Sequence, residues 1–381
     1  MKRIMRRLAG EPMSIGLKWA GLCFLLTLAA PIRGDDLEKG HDPMIGVKIY
    51  AHEGALPELF EEWRSIGVNT VFVSPELAAK RDFRALARKN GVSVFLILPV
   101  FFNPEEIKKD PGLCALTDRG EKAKDDWVEF VCPTRQDYLR RRVEWVQSLV
   151  RDIDPDGISL DFIRYFVFWE MIYPERTAAS IANSCFDRSC LEQFRKDAGI
   201  SLPPEITRTA DAARWIMAAH GAEWTAWKCG IIVKAVRSIV SAAKAVKPEL
   251  VVNLHSVPWR KTDFGGAIKV IAGQDLSLLG PAVDMVSPMC YWHMLKRQPS
   301  WIREVVADVH SQTGGPVVPS IQVGNAYIRD ALSTEEFKQA LEEALRPPSG
   351  GVVFWSWDAL AKEPAKMAAV AACLKERSHK K

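Results

Sequence analysis

The sequence is missing the glycine-rich turns that cradle phosphates in nucleotide-binding enzymes. Neither GxGxxG nor GxxxxGK follows the first predicted strand, MIGVKIY at 44–50. The sequence also lacks low-complexity tracts and a strong excess of either charge, with 51 basic and 47 acidic residues. Apolar residues make up 48% of the chain. These features argue against a dinucleotide-binding sheet and predict a globular protein with a large core.

The first 34 residues have the pattern of a secretory leader. MKRIMRR is cationic, and the following run WAGLCFLLTLAAPI is uncharged and too short to span a bilayer comfortably. We therefore predict a signal peptide over 1–34 and a secreted or periplasmic protein that meets membranes only during export. An uncleaved anchor or a buried helix is the alternative. The leader holds most of the basic excess, so the rest of the chain gives no argument for nucleic-acid binding.

The chain has eight cysteines, and export would permit disulfides. Cys185 and Cys190 lie in the loop-like stretch NSCFDRSCLEQF, and Cys114 and Cys132 lie in an earlier loop. These two pairs are candidate disulfides. A zinc site would need a second ligand pair close by in the sequence, and none is visible. We therefore predict neither a metal nor a cofactor.

Short apolar strands alternate with amphipathic helices along residues 35–381, which is typical of a parallel sheet. Eight strand–helix units can be counted, the number in a closed (β/α)8 barrel. The predicted fold class is α/β, a single-domain TIM barrel with an insertion at about 166–218 after strand four. An open doubly wound sheet is the alternative. The predicted strands are 44–50, 69–75, 93–101, 156–165, 251–259, 284–293, 316–324 and 351–360.

In such a barrel, functional groups lie at the C-terminal ends of the strands and in the loops that follow. Polar and aromatic residues are concentrated at these predicted ends. Carboxylates among aromatics suit sugars, because the apolar ring faces stack while the hydroxyls form hydrogen bonds. The residues predicted to contact substrate are Arg164, Tyr165, His255, Trp259, Tyr291, Trp292, His293, Gln322, Trp355, Trp357 and Asp358.

The fourth strand supplies the leading catalytic residue. Alternation along GISLD directs Gly157, Ser159 and Asp161 towards the barrel axis, with Asp161 nearest the mouth. A carboxylate there can attack an anomeric carbon or stabilise an oxocarbenium ion, and Arg164 can hold it ionised. The alternative is a buried pair of Asp161 and Arg164 that only orders the mouth.

The same block resembles the fourth strand of secreted glycoside-hydrolase-like barrels, the "family 10 glycosyl hydrolase-like" group of bacterial proteins. In that group an aspartate ends a D-G-I-x-[LF]-D-x-x-R-[YF] strand, and FVCPTRQDY, SPMCYW and GVVFWSWDAL are similar to further blocks of it. The resemblance covers most of 44–376. It implies chemistry on glycosidic bonds with Asp161 as the catalytic carboxylate.

Two better-known mechanisms do not fit. Family 18 chitinases end this strand in DxxDxDxE, whereas Ile163 occupies the glutamate position here. The α-amylase superfamily places an arginine two residues before its nucleophile, where this chain has Ser159.

The acid/base partner of Asp161 is predicted to be Glu76, directly after strand two in the motif SPE. Asp358 and Glu170 are alternatives, and each could instead be a solvated loop carboxylate.

The predicted function is hydrolysis of a poly- or oligosaccharide by an exported enzyme without a cofactor. One alternative is a catalytically inactive barrel that binds carbohydrate. Another is a non-glycosidase, such as a polysaccharide deacetylase or lyase. A second carboxyl group within about 10 Å of Asp161 would favour hydrolysis, whereas converging His and Asp metal ligands would favour the last class.

Overall fold

The computed structural model describes residues 43–379, and a closed barrel of eight parallel strands forms its centre. Each barrel strand pairs with the next one along the chain, and the last pairs with the first. The predicted α/β TIM barrel is therefore confirmed. The barrel strands are β1 (Met44–Ile49), β2 (Thr70–Val73), β3 (Ser93–Pro99), β6 (Gly157–Asp161), β7 (Val251–Ser256), β8 (Met285–Cys290), β9 (Ser320–Gln322) and β10 (Gly351–Trp355). A small hairpin, β4 (Lys124–Asp125) and β5 (Val128–Glu129), stands apart.

Helices follow the strands and surround the barrel. Their apolar faces cover the outward-facing strand residues, as the alternation of helical and strand periodicities in the sequence requires. The α-helices are α1 (Leu56–Ser65), α2 (Pro75–Ala78), α3 (Arg81–Lys89), α4 (Pro104–Lys109), α5 (Gln136–Ile153), α6 (Arg188–Ala198), α7 (Thr209–Ala219), α8 (Gly221–Val246), α9 (Ala267–Val270), α10 (Leu276–Leu279), α11 (Trp301–Thr313), α12 (Thr334–Ala344), α13 (Trp357–Leu360) and α14 (Pro364–His379).

Several strands end earlier than their apolar runs predict. The fourth barrel strand stops at Asp161, where Phe162 takes a positive φ of 50° and turns the chain. The last strand stops at Trp355, and α13 begins at Trp357. The apolar runs continue because the first loop residues are themselves buried, so hydrophobicity alone does not mark the end of these strands.

Glycines make room for two phenylalanine rings inside the barrel. Phe95 on β3 is in register with Gly157 on β6, and a Cβ atom at Gly157 would lie 2.3 Å from that ring. Phe72 on β2 lies similarly against Gly46, at 3.0 Å. The centroids of the two rings are 5.1 Å apart. The lower barrel is therefore a packed core rather than a channel.

Between residues 43 and 379, no helix combines the length and apolar character that crossing a bilayer requires. The predicted signal peptide at 1–34 lies outside the described residues.

Residues 162–220, between β6 and α8, contain α6, α7 and short 3₁₀ turns, and they include the predicted insertion.

We predict that Gly157→Ala destabilises the protein. The new methyl group would overlap the Phe95 ring, and overpacking of this kind costs about 1–3 kcal/mol. Gly230→Ala is the matched control, because Gly230 is exposed within α8 and a Cβ there meets no atom within 4 Å. The control should gain about 0.5–1 kcal/mol. Urea unfolding measures both, and an unchanged free energy of unfolding for Gly157→Ala would contradict the packing.

Candidate active site

Asp161 ends β6 at the C-terminal mouth of the barrel. The side chain is only 5% exposed, and its Oδ1 accepts a 2.8 Å hydrogen bond from the backbone N–H of Phe162. It lines a pocket together with residues from β1, β8 and β10. None of these strands is a neighbour of β6, and β10 lies opposite it in the barrel. The Asp161 side chain therefore faces the axis, as the strand alternation predicts.

The pocket at Asp161 is narrow and almost closed. The volume open to the centre of a water molecule is about 20 Å³, enough for about one water. Its walls combine two carboxyl groups, two cationic groups and several aromatic rings. The lining residues are Lys48, Tyr50, Trp127, Asp161, Phe162, Arg164, Trp169, Glu170, Met289, Tyr291 and Trp355.

Lys48 brings a buried positive charge into this pocket. It lies on β1 with 1% of its surface exposed, and its Nζ donates a 3.2 Å hydrogen bond to the hydroxyl of Tyr291. Burial lowers the pKa of Lys48 to about 8, and the negative charge of Asp161 opposes that shift. The negative charge of Asp161 thus favours the ammonium form of Lys48.

Two rings form a flat wall of the pocket. Tyr291 follows β8 and stacks on Trp355 at the end of β10, with centroids 4.3 Å apart and ring planes 12° apart. Trp169 approaches Tyr291 at 5.7 Å. The Tyr291 hydroxyl also lies 3.3 Å from the Ser320 hydroxyl, which holds the ring in place.

Glu170 is the second carboxyl group in the pocket. It lies in the 3₁₀ turn Trp169–Met171, after β6, and is 7% exposed. Burial raises the pKa of Glu170 to about 7, although the positive charge of Arg164 acts in the opposite direction. Its Oε2 is buried without a hydrogen-bond partner. A carboxyl group in this state can hold a proton near neutral pH and release it into the pocket.

The positive charge of Arg164 interacts with both carboxyl groups of the pocket. Burial lowers the pKa of Arg164 to about 10, while Glu170 and Asp161 both oppose this shift. The guanidinium Nη1 donates hydrogen bonds to the carbonyl oxygens of Val167 (2.8 Å) and Tyr165 (3.3 Å). Arg164 therefore also holds the loop that carries Glu170.

No family model and no curated protein matches the sequence. Many solved structures are similar to this one, and three of them, all glycoside hydrolases, match over 86–88% of this chain. This chain shares its barrel fold with these three proteins. At the low sequence identities involved, the likeness shows the fold alone.

One of these structures is the glycoside hydrolase domain of PgaB (BpsB) from Bordetella bronchiseptica, with 14% identity and a TM-score of 0.64 over 86% of this chain and 98% of that domain. Another is a β-galactosidase from Marinomonas ef1, with 12% identity and a TM-score of 0.66 over 88% of this chain and 59% of that one. The α-L-fucosidase isoenzyme 2 from Paenibacillus thiaminolyticus has 16% identity and a TM-score of 0.54, over 88% and 49%. The chain thus spans little more than half the length of the galactosidase.

Of the residues predicted to form the site, the structure brings four together in the pocket: Asp161, Arg164, Tyr291 and Trp355. His255 lies just below them, inside the barrel, with Nδ1 3.3 Å from the Ser287 carbonyl oxygen. Burial lowers the pKa of His255 to about 3, so the ring is neutral.

The other predicted residues lie outside the pocket. Glu76 is exposed at the start of α2. Trp292 and His293 turn outward and both contact Glu336 of α12. Three aromatic residues pack in the surrounding loops and helices: Tyr165 beneath Lys228, Trp259 against Phe264, and Trp357 against Trp63. The Gln322 side chain forms hydrogen bonds with the backbone of Met294 and Gly324. Asp358 is half-buried at the start of α13.

Sequence reasoning missed several pocket residues. Lys48 could have been predicted from strand alternation. In MIGVKI, the apolar residues on either side of Lys48 face the helices, so Lys48 must face the barrel axis. Trp127 and Trp169 come from long loops, where no periodicity predicts the side-chain direction. Tyr50 and Met289 extend the inward rows of β1 and β8.

We predict that Glu170→Gln increases the stability of the protein relative to wild type more at pH 8 than at pH 5. The folded-state pKa is about 7 and the unfolded value 4.5, so wild type loses stability as the pH rises through this window. Glutamine removes this loss, which should amount to about 2–3 kcal/mol. Urea unfolding at both pH values measures the difference. Glu76→Gln makes the same chemical change at an exposed residue. The stability difference between this variant and wild type should be nearly the same at both pH values.

Proposed function

We propose that the protein is a glycoside hydrolase in which Asp161 and Glu170 are the two catalytic carboxyl groups. One observation carries the proposal. Two carboxyl groups line the same buried pocket at the mouth of the barrel, and burial raises the pKa of one of them to about 7. Glycosidases of the usual type need such a pair, one protonated and one ionised. Glu170 replaces Glu76 as the proposed partner because Glu76 lies outside this pocket.

Glu170 acts as the general acid. Its proton moves to the oxygen of the scissile glycosidic bond as that bond breaks, and the electron pair of the bond stays on the leaving oxygen. Burial raises the pKa of Glu170 and so keeps the proton on its carboxyl group until the leaving group takes it. Water from outside then adds its hydroxyl group to the anomeric carbon of the second product, and its remaining proton returns to the Glu170 carboxylate.

Asp161 faces the anomeric carbon as the ionised group. Its carboxylate offsets the positive charge that develops on the sugar ring in the transition state. The positive charges of Lys48 and Arg164 interact favourably with the negative charge of this carboxylate. The hydrogen bond from the Phe162 N–H fixes the direction of one oxygen.

The aromatic wall supports a sugar as the substrate. The stacked Tyr291 and Trp355 present apolar faces beside the two carboxyl groups, the arrangement that packs against a pyranose ring. Trp127 lines the pocket and also a larger open groove of about 510 Å³ on its other side. The groove could hold further units of an oligosaccharide or polysaccharide.

A sugar ring needs far more room than the one water-sized space at Asp161. The turn Trp169–Met171 is the wall most able to move, since it lies in a loop rather than in a barrel strand. We propose that substrate entry displaces this turn and that its return brings Glu170 onto the glycosidic oxygen. Export of the enzyme through residues 1–34 remains part of the proposal.

We predict that Asp161→Asn strongly reduces the rate of hydrolysis. A screen on plant and bacterial polysaccharides and on aryl glycosides first identifies a substrate of the wild-type protein. The variant should then lose about 10²–10⁴-fold in kcat, because asparagine cannot supply the negative charge. Glu76→Gln is the control and should keep wild-type activity. Full activity of Asp161→Asn would overturn the mechanism, and carbohydrate binding by wild type without any hydrolysis would favour the inactive binding barrel.

We predict that Glu170→Gln separates substrates by their leaving group. With a sugar leaving group, kcat/KM should fall about 10²–10⁴-fold, because that oxygen needs a proton. With a nitrophenyl leaving group, which departs unprotonated, the loss should be less than about tenfold. The fall in wild-type activity above pH about 7 should also disappear.

Asp358→Asn is the matched control for this experiment. Asp358 is a carboxyl group near the mouth that does not line the pocket, so its variant should treat both leaving groups alike. If Glu170→Gln loses equal activity on both substrates, Glu170 is not the acid.

A further inference from the structure

A second cluster of reactive side chains lies outside the pocket. Cys132, Cys185, Asp187 and Cys190 are all buried, and one ligand atom from each lies within 4.8 Å of the others. The sulfurs of Cys132 and Cys190 are 3.2 Å apart. Within residues 43–379 this is the one group of three or more such side chains that converges.

We propose that these four residues bind one zinc ion, with three thiolates and the Asp187 carboxylate as ligands. Zinc prefers four-coordinate tetrahedral sites with Zn–S bonds of about 2.3 Å, which places sulfurs about 3.8 Å apart. The ligand atoms here fall around that separation. Cys185 and Cys190 are five positions apart at the start of α6, a spacing that is common among paired zinc ligands.

The number of thiols favours a metal over a disulfide. Three sulfurs converge, and a disulfide would use two and leave the third buried and unpaired. A zinc ion uses all three and also the carboxylate. The candidate disulfide between Cys114 and Cys132 is wrong, because the Cys114 thiol instead faces Ala115 and Glu129 while Cys132 meets Cys190.

Polar groups around the cluster are arranged to stabilise negative sulfur. The backbone N–H of Leu116 donates a 3.2 Å hydrogen bond to Cys185 Sγ. The Thr134 hydroxyl lies 3.1 Å from Cys132 Sγ and 3.2 Å from Cys190 Sγ. Hydrogen bonds from an outer shell of this kind orient thiolate ligands and offset their charge.

Asp187 has the capacity to bind the ion as well as its present partners. Its Oδ1 accepts a 2.7 Å hydrogen bond from the backbone N–H of Cys190, and its Oδ2 forms an ion pair with Arg135. A carboxylate has about four lone-pair positions, so two remain. Three thiolates and a carboxylate around Zn²⁺ leave two net negative charges, and the positive charge of Arg135 offsets part of this excess.

The proposed zinc would join two separate segments of the chain. Cys132 belongs to the connection after β3, whereas the other three ligands belong to the connection after β6. The latter connection also carries Glu170. The ion is therefore proposed as a structural link that fixes one loop wall against another, and its binding energy would contribute to folding. Zinc binding does not depend on the proposed catalytic activity.

The metal content of the whole chain tests the proposal. The protein is purified under reducing conditions, reconstituted with Zn²⁺ and then freed of excess metal. It should contain about one zinc per chain by inductively coupled plasma mass spectrometry. Cys190→Ser and Cys132→Ser should each bind at least tenfold less. Cys290→Ser is the control, because Cys290 is buried in β8 and outside the cluster, and should retain full zinc.

Cobalt(II) gives a second readout that does not depend on activity. The wild-type protein loaded with Co²⁺ should show thiolate-to-cobalt charge-transfer absorption, and each cluster variant should lose it while keeping a folded near-ultraviolet circular dichroism spectrum. Reconstituted wild type without zinc would overturn the proposal. So would peptide mapping that finds a disulfide between two of the three sulfurs after reconstitution, or a Cys290→Ser variant that loses its zinc as the cluster variants do.

Discussion

The closed barrel has almost no spare interior volume, and this constraint determines both its packing and its chemistry. Eight short strands enclose a space that their own inward side chains must fill. In the lower part, the Phe95 ring fits only because position 157 carries no Cβ atom. Towards the mouth the polar inward residues Ser159, Asn253 and Ser287 satisfy one another through hydrogen bonds of 2.8 and 2.9 Å. Charges are therefore confined to the top of the barrel.

At the top of the barrel, charged groups are buried near groups of opposite charge, which offset part of the cost of removing them from water. Lys48 and Arg164 face Asp161 and Glu170 in a pocket that admits about one water molecule. Burial pushes the pKa of Glu170 up and the pKa of Lys48 down, and each opposite charge limits the shift. Such a set is costly for stability. Its presence is easier to explain by chemistry on a substrate than by folding, which is why the proposed function starts from it.

The two connections after β3 and β6 meet in two places. Near the mouth, Phe102 stacks on Phe162 with centroids 4.8 Å apart, and Trp127 packs edge-on against the same ring. Further out, Cys132 meets Cys190. The connection that carries Glu170 is thus anchored at Phe162 by an aromatic cluster and at Cys190 by the cysteine cluster, on either side in sequence of the turn Trp169–Met171. Both lie outside the barrel itself, so the shape of the pocket depends on loop packing as well as on strands.

Strand alternation and the count of eight units were sufficient to predict the barrel and the inward direction of Asp161. Both are consequences of local periodicity, which a strand keeps whatever surrounds it. The same alternation failed beyond the strand end: it placed Trp355 and Trp357 on one face, yet the chain starts a helix between them, and Trp357 packs outward against Trp63.

The tertiary structure alone decided which distant residues meet. Cys132 and Cys190 are 58 positions apart, and nothing in their local sequence indicates contact. The sequence left Glu76, Asp358 and Glu170 as candidate partners for Asp161, and of these three only Glu170 lines the pocket with Asp161. A loop side chain follows the packing of its neighbours rather than a backbone period, so its direction cannot be read from spacing. The sequence therefore determined the scaffold and one carboxylate, and the folded loops decided the second carboxyl group and the cysteine cluster.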